Sequence, residues 1–510
     1  MIALTFWRRF GKIEKIEEGR ILPMKKIGFD NKQYLKLQSE NIQQRIDSFG
    51  GKLYLEFGGK LFDDYHASRV LPGFQPDSKI KMLLKLKAIA EILVVISAND
   101  IEKNKYRSDL GITYDADVLR LLDVFKNQGL YVGGVVMTMY RPQPQVDSFI
   151  KRLEIMGMPV YKHYAIDGYP SDVQKIVSEE GYGKNEYVPT TRRLVVVTAP
   201  GPGSGKMATC LSQLYHENKR GVKAGYAKFE TFPIWNLPLS HPVNVAYEAA
   251  TADLNDVNMI DPYHLDAYGK LSVNYNRDVE IFPVVNATFE KIWGSSPYQS
   301  PTDMGVNMAG FCIVDDELCQ NASKAEIIRR YYAAMCEART GRVGKEVVSK
   351  IEMLMQKTGI STKDRRPVSA ALEKEEETGA PAAALQLSGG IIVKGRTGDM
   401  LGSAAACVLN ALKALGGIDD RIQLISPTVI EPIQRLKVDH MGAINPRLHT
   451  DEVLMALAIC AVTNPTAELA LEQLDKLRGC ELHSTVILSQ VDEKTLKSLG
   501  IRVTCEAKKA

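Results

Sequence analysis

Apolar runs and amphipathic stretches alternate along the chain from Lys52 onward. Short runs rich in β-branched and aromatic residues predict strands, and they read KLYLEF, EILVVISA, LYVGGVVMT and MPVYKHYAI. Between these runs, apolar residues recur every three or four positions, which predicts helices at SKIKMLLKLKAIA, ADVLRLLDVFKNQ and QVDSFIKRLEIMG. Because strands that alternate with helices are typical of α/β domains, we expect a mostly parallel sheet with crossover helices.

A second series of elements follows the first. RLVVVTA predicts a strand, a glycine-rich turn comes next, and KMATCLSQLYHENKR has helical spacing. Two further strands are predicted at AGYAKFETF and DVEIFPV. The segments KAEIIRRYYAAMCEA and GKEVVSKIEMLMQK then predict a helical segment.

The last part of the chain has a composition of its own. The polar stretch STKDRRPVSAALEKEEETGAP marks a change, so we place a domain boundary near residue 365. Beyond it come the strand GGIIVKG, the helix GSAAACVLNALKAL and a closing β-α-β unit at HSTVILS, EKTLKSLG and IRVTCE. These elements predict a smaller C-terminal α/β domain.

The first residues, MIALTFWRRFGKIEKIEEGRILP, differ in character from the rest, and Met24 opens a more natural start. We expect residues 1–23 to be a non-native or disordered extension. The other predicted regions are an N-terminal α/β domain at 24–190, a P-loop-like α/β region at 191–300, a helical region at 301–365 and the C-terminal α/β domain at 366–510. The pattern leaves open whether 191–300 shares the sheet of 24–190.

Composition narrows the class of protein. A chain of 510 residues is too long to fold around one compact core, so we expect two or three domains. Its 64 basic and 61 acidic residues nearly balance, whereas nucleic-acid binders usually carry a strong basic excess. We therefore expect no nucleic-acid partner, and without a long apolar run we expect no membrane partner. The eight cysteines form no CxxC pair, which favours reduced thiols in the cytoplasm. A homo-oligomer is compatible with this size.

The strongest chemical signal is the segment LVVVTAPGPGSGKMAT, which begins at Leu194. A buried strand leads into a turn with three glycines, and a helix begins where the turn ends. Glycine lets the backbone approach an anion closely, and the first amides of a helix favour phosphate. We expect phosphate or nucleotide to be bound by the residues Gly201, Gly203, Ser204, Gly205 and Lys206.

The segment departs from the P-loop template G-x-x-x-x-G-K-[ST] at two positions. Pro200 stands where the template has its first glycine, and Met207 stands where it has the hydroxyl that holds Mg²⁺. The usual metal-assisted hydrolysis of ATP is therefore less favoured, because the metal needs other ligands. A structural strand-to-helix turn without any ligand is the alternative.

Charged residues downstream of this loop are candidates for catalysis beside Lys206. Lys228 and Glu230 lie at the end of a predicted strand, on one face, and could form an ion pair beside a phosphate. Asp253 and Asp256 could serve as metal ligands or bases. An exposed ion pair at a strand end, helix caps and turns explain the same residues without function.

Two other stretches carry polar residues that could bind a ligand. The loop after the first strand, LEFGGKLFDDYHASR, is rich in polar residues that include Asp63. Its two glycines, Gly58 and Gly59, suit close approach of a ligand, and Lys60, His66 and Arg69 could neutralise an anion; an ordinary connecting loop is the alternative. Asn276, Arg277 and Asp278 lie at the start of the predicted strand DVEIFPV, which is usually the wrong end for chemistry.

Four stretches together resemble an uncharacterised bacterial protein family known only as a domain of unknown function. They are KLYLEFGGKLFDDYHASRVLPGF, VVVTAPGPGSGKMATC, GYAKFETFPIWNLPLSHPVNVAYEAATADLNDVNMIDP and RGCELHSTVILSQVDEKTLKSLGI. The resemblance extends from Met24 onward and implies a multidomain, cytoplasmic protein. It assigns no reaction and no catalytic residue.

The residues lead to three hypotheses. The first is a phosphotransferase or ligase that binds a nucleotide or phosphometabolite, with ATP or another nucleotide plus Mg²⁺ as the candidate cofactor. The second is a regulatory protein that binds a small phosphorylated ligand without turnover, and Met207 favours it. The third is a structural or assembly protein in which the loop binds nothing.

Overall fold

The computed structural model describes residues 27–509 except residues 59, 60, 63, 108 and 109. The extension predicted at 1–23 lies outside the described residues. The strands are β1 Leu53–Phe57, β2 Ala90–Ser97, β3 Tyr106–Arg107, β4 Ile112–Thr113, β5 Tyr131–Tyr140, β6 Val160–Tyr164, β7 Leu194–Thr198, β8 Gly225–Phe229, β9 Asn258–Ile260, β10 Val273–Tyr275, β11 Gly305–Val306, β12 Ala382–Gln386, β13 Ile392–Arg396, β14 Glu481–Ser484 and β15 Arg502–Cys505.

Helices fill the segments between these strands. They are α1 Asn31–Ser48, α2 Tyr65–Val70, α3 Ser78–Lys85, α4 Ala98–Glu102, α5 Tyr114–Asn127, α6 Pro144–Ile155, α7 Val173–Ile176, α8 Lys206–Lys219, α9 Pro242–Ala250, α10 Pro262–Tyr268, α11 Asn276–Trp293, α12 Pro301–Met304, α13 Asp316–Arg339, α14 Lys345–Lys357, α15 Arg366–Thr378, α16 Ser403–Gly416, α17 Pro427–Arg435, α18 Thr450–Ala461, α19 Pro465–Leu471 and α20 Gln490–Ser498. None of the described helices is long and apolar enough to cross a membrane.

The main sheet has seven strands in the order β11-β8-β1-β7-β2-β5-β6, and every neighbouring pair is parallel. Its central strands are buried along their whole length, as the unbroken apolar runs AEILVVIS and LVVVT require when helices cover both faces. The predicted α/β fold with a mostly parallel sheet is confirmed. One sheet holds strands from both the 24–190 and the 191–300 regions.

The two faces of this sheet carry different helices. Leu55, Phe57 and Val196 face the side covered by α1, α3, α5 and α6. Tyr54 and Val195 face the opposite side, which α8 and α11 cover. The helix that follows β7 therefore lies on one face of the sheet, and the helices that follow the neighbouring strand β2 lie on the other face. In such sheets the space beyond the carboxyl ends of those strands forms a crevice where ligands bind.

One predicted strand is wrong. DVEIFPV lies inside α11, which begins at Asn276 and runs to Trp293. Val279, Phe282, Val285, Phe289 and Ile292 are buried at spacings of three and four residues, so the apolar positions follow a helical period across the window. The seven-residue run contains only the first part of this pattern.

The C-terminal part forms a second sheet in the order β13-β12-β14-β15. β12 pairs antiparallel with β13 and β14, whereas β14 pairs parallel with β15 across α20, which confirms the predicted β-α-β unit. Part of the polar stretch that marked the boundary forms α15, and this helix packs against the new sheet. Helix α13 contacts β15, so the two parts of the chain touch.

Candidate functional site

The glycine loop (residues 199–206) lies at the carboxyl end of β7, between β1 and β2. Gly203 and Gly205 have φ values of +75° and +88°, a region that side-chain-bearing residues rarely adopt. Gly205 is the residue before α8, so the turn delivers the chain directly into the helix. This is the predicted P-loop-like strand-loop-helix.

Five backbone amides of this loop have no protein acceptor among the described residues. Among the described residues, none of the amide N–H groups of Gly201, Gly203, Ser204, Gly205 or Lys206 donates a hydrogen bond to a protein acceptor. A run of unpaired amides at a helix start concentrates partial positive charge and suits an anion.

Thr138 of β5 and Tyr114 of α5 contact the loop and fix its shape. Thr138, near the end of β5, donates its hydroxyl to the Ser204 carbonyl at 2.7 Å. The Ser204 hydroxyl donates to the Gly201 carbonyl at 2.8 Å. The Tyr114 ring lies against Gly201, where an added Cβ would come within 2.2 Å of the Tyr114 hydroxyl. Ser204 is thus buried within the loop, and its hydroxyl is already used there.

Lys206 is the first residue of α8 and is partly exposed. Within the part of the chain that the structure describes, its ammonium group makes no hydrogen bond or ion pair, so its charge is available to a ligand. Met207 instead packs against the apolar layer on the α8 side of the sheet. The position of the usual Mg²⁺ hydroxyl is therefore taken by an apolar side chain.

Two strands away lies the Lys228 cluster (Glu56, Tyr226, Lys228, Glu230, Tyr275 and Asp278). The Lys228 ammonium contacts the Asp278 carboxylate and the Tyr275 hydroxyl, and it lies 2.7 Å from the Glu230 carboxylate. Tyr275 also donates to Glu230 at 2.9 Å. The ion pair predicted between Lys228 and Glu230 is present, but it belongs to a buried network.

Glu56 connects the cluster to the sheet beside the loop. It pairs with Val197 on one side and with Lys228 on the other, so about 10 Å separates those two backbones at the usual strand spacing. Tyr226 donates to the Glu56 carboxylate at 2.7 Å. A ligand of moderate size could therefore contact both the loop and the cluster.

The pKa values of Glu230 and Lys228 are both raised in the cluster, with different consequences for their charge. Burial raises the pKa of Glu230 to about 7; the Asp278 charge adds to this, and Lys228 opposes it. Burial alone would lower the pKa of Lys228, but Asp278, Glu230 and Glu56 outweigh burial and raise it. Lys228 therefore stays charged, while Glu230 can take or release a proton near neutral pH. Glu230 is also the more accessible carboxylate, with 19% of its side chain exposed against 6% for Asp278.

Of the two predicted aspartates, Asp256 lies at the margin of the cluster and Asp253 lies apart from it. The Asp256 carboxylate is buried and pairs with Arg277 at 2.6 Å. Asp253 is exposed in the turn Ala252–Leu254, which packs against α14. Among the described residues the Asp253 carboxylate has no hydrogen bond or ion pair. The structure thus brings together Lys228 and Glu230, and it leaves Asp253 apart.

The loop after β1 has a mainly structural environment where it is described. Arg69 pairs with Glu326 of α13 at 3.0 Å, and His66 lies 3.7 Å from the same carboxylate. Gly59, Lys60 and Asp63 lie outside the described residues.

Sequence reasoning missed several residues of the site. Tyr275 carries no sequence signal as a member of the cluster, and the strand predicted at DVEIFPV places Asp278 at the wrong end of an element for chemistry. Tyr114 and Thr138 contact the loop from positions more than 60 residues earlier in the chain. Local spacing holds no signal for contacts of that kind.

Two family models match the chain. Residues 27–359 match the N-terminal part of a domain of unknown function, DUF1846, and residues 363–509 match its C-terminal part. A UPF0371 protein of Corynebacterium urealyticum is 58% identical over 483 residues, which cover 94% of this chain and 97% of the relative. The chain belongs to the UPF0371 family. This confirms the resemblance to a family of unknown function.

A second UPF0371 protein, from Streptococcus pyogenes serotype M5, is 57% identical over 481 residues, with 94% of this chain and 97% of the relative covered. Among solved structures, the ADP form of the Aeropyrum pernix ORC2 protein aligns over 95% of both chains at 9% identity with a TM-score of 0.16. That score does not establish a shared fold, so the site of this UPF0371 member is interpreted from its own geometry.

Proposed function

We propose that the protein is a phosphotransferase or ligase that holds the phosphates of a nucleotide or phosphometabolite on the glycine loop. The observation that carries this proposal is the set of unpaired loop amides beside the unpaired ammonium of Lys206. The first amides of any helix lack intrahelical partners, so the proposal depends on their combination with the Lys206 ammonium, on a loop at the carboxyl edge of a parallel sheet.

The Lys228 cluster supplies the groups for a reaction. Glu230 is the proton-transfer group, since its pKa of about 7 suits a general acid or base at neutral pH. Lys228 and Tyr275 hold the Glu230 carboxyl in place through direct contacts. Asp256, through Arg277, supports the edge of the cluster.

Magnesium would need ligands other than a loop hydroxyl. The described residues hold no group of three or more His, Cys, Asp or Glu side chains arranged as a metal site. Mg²⁺ commonly keeps several waters and binds one or two carboxylates together with substrate phosphates, so the phosphates of a bound nucleotide would supply part of its ligands. A bound Mg²⁺ would neutralise phosphate charge during transfer.

A phosphate-binding regulatory protein is the second candidate, because Met207 occupies the usual position of a metal-binding hydroxyl. The two candidates differ in turnover. Purified protein incubated with ATP, Mg²⁺ and a metabolite mixture yields a phosphorylated or condensed product only if the protein is an enzyme.

Calorimetric titration with tripolyphosphate and with ATP tests the loop itself. We expect the wild type to bind both ligands and Lys206→Met to lose at least about tenfold in affinity, since one charge-assisted contact is worth roughly 1.4 kcal/mol or more. Lys219→Met is the matched control, because Lys219 ends the same helix and pairs with the exposed Glu179. If Lys206→Met binds as the wild type does, the loop is not the site.

A further inference from the structure

A second feature lies close to the glycine loop on the side away from the Lys228 cluster. It is a cavity of about 340 Å³ between α4, the start of α5 and α6. Its walls mix apolar side chains, Ile101 and Phe149, with the hydrogen-bonding groups of Asn104, Asp115 and Gln145. This volume is within the usual range of small-molecule sites, about 300–1,000 Å³.

The cavity and the glycine loop share their supporting elements. Tyr114 lies against Gly201, and the next residue of α5, Asp115, lines the cavity. Thr138 of β5 bonds to Ser204, and β5 leads within a few residues to α6, which forms another wall. The two features are therefore neighbours on one edge of the sheet.

Sheet topology places a crevice between them. β7 and β2 are adjacent, yet α8 follows β7 on one face while α4 and α5 follow β2 on the other. A crevice opens where connections of neighbouring parallel strands diverge in this way, and elongated ligands bind along it.

A second cation besides Lys206 lies near this crevice, and it is Lys105. The Lys105 ammonium stands 4.8 Å from the centre of the Tyr114 ring and 3.3 Å from Asp100. Because the same ring touches Gly201, Lys105 is positioned near the loop on the cavity side. Its side chain is 39% exposed, so it can reach a phosphate chain that extends from the loop toward the cavity.

We infer that this cavity binds the nucleoside end of a nucleotide whose phosphates lie on the glycine loop, an assignment that rests on the proposed function. The aromatic ring of Phe149 and the side chain of Ile101 offer apolar contact to a base. The side-chain amides of Asn104 and Gln145 can donate to and accept from its polar edge. The Asp115 carboxylate can accept hydrogen bonds from the vicinal hydroxyls of a ribose.

The test compares nucleotides with a ligand that has phosphates only. Wild type, Ser148→Trp and Glu154→Trp are titrated calorimetrically with tripolyphosphate and with each of the four ribonucleoside triphosphates. Ser148 is exposed and lines the cavity, so a tryptophan there fills it without entering the core. Glu154 is exposed on the same helix and does not line the cavity, which makes it the matched control.

We expect at least one nucleoside triphosphate to bind the wild type about tenfold or more tightly than tripolyphosphate. Ser148→Trp should remove that advantage and leave tripolyphosphate binding unchanged, while Glu154→Trp should change neither. Equal affinities for all ligands, or full nucleotide affinity in Ser148→Trp, would overturn the inference and leave the proposed function standing. Failure of wild type to bind tripolyphosphate or any nucleotide would instead overturn the proposed function.

Discussion

At the scale of single residues, the protonation of Glu230 depends on the other carboxylates that contact the Lys228 ammonium. Asp278 contacts the same ammonium and is more deeply buried. The positive charge of Lys228 is therefore shared between two carboxylates and offsets only part of the effect of burial on Glu230. A lysine beside a carboxylate usually lowers the pKa of the carboxylate, but burial and the second carboxylate reverse the direction here. A local sequence pattern, K-x-E, predicts the pair and cannot predict this reversal.

The first prediction concerns Glu230→Gln. An amide keeps the shape of the side chain and cannot transfer the proton, so we expect turnover to fall by about 10²–10⁴. Binding of tripolyphosphate should remain, because the glycine loop is untouched. Product formation and calorimetry on the same preparation check this, and a variant with wild-type turnover would remove Glu230 from the mechanism.

The same residue predicts a pH dependence of stability. Its pKa rises from 4.5 in the unfolded chain to about 7 in the fold, so the folded state retains a proton that the unfolded state releases. The contribution to the free energy of unfolding is therefore full below about pH 4.5 and is lost as pH rises to about 7. Across that window it amounts to at most about 3 kcal/mol.

Urea unfolding of wild type and Glu230→Gln at pH 5 and pH 8 measures this difference. We expect the wild type to lose stability relative to Glu230→Gln between the two pH values. A difference that stays constant, or one of opposite sign, would contradict the assignment of the raised pKa.

At the scale of elements, the start of α8 depends on a glycine that no other residue replaces without strain. Gly205 has φ +88°, and an added Cβ would lie 3.1 Å from a Thr138 side-chain carbon. We expect Gly205→Ala to lower the free energy of unfolding by about 1–2 kcal/mol or more and to abolish tripolyphosphate binding, because the loop amides turn away.

Gly221→Ala is the matched comparison for this prediction. Gly221 follows α8 with φ +73°, and an added Cβ there meets no atom within 4 Å. It should cost about 1 kcal/mol through backbone strain alone and leave binding intact. Equal binding by both variants in calorimetry would show that the loop conformation is unimportant.

Elements with a long and regular apolar pattern were predictable, and those decided by distant contacts were not. The buried run of β7 and the helical spacing of α8 are visible in the residues themselves. β11 has only two residues and exists because it pairs with β8. The start of α11 has β-branched and aromatic residues that favour a strand in a short window, and its packing against the sheet decides for a helix.

At the scale of the whole molecule, a buried network joins the two parts of the chain. The Glu481 carboxylate of β14 contacts Arg365, and it lies 2.9 Å from Arg329 of α13 and 3.2 Å from Arg502. Arg365 and Arg329 are almost fully buried. The pairing of the central strands and the contacts of Glu481 with Arg329 and Arg365 all join residues more than 100 positions apart, which no local pattern encodes.

Glu481→Ala leaves the buried Arg365 guanidinium without a carboxylate and removes one of the two carboxylates that contact Arg329, so we expect a loss of about 3–5 kcal/mol in stability. Glu375→Ala removes the more exposed pair with Lys508 and should cost no more than about 1 kcal/mol. Calorimetric unfolding should show a clearly lower midpoint for Glu481→Ala alone. Similar midpoints for both variants would mean that the junction contributes little.

The central claim is that the loop amides and Lys206 together hold phosphate, and amide hydrogen exchange followed by mass spectrometry tests it most directly. With tripolyphosphate at a concentration near the Kd of the wild type, peptides that cover residues 199–210 should exchange more slowly in the wild type and show clearly less protection in Lys206→Met. Protection confined to other peptides, or identical protection in both proteins, would contradict the claim.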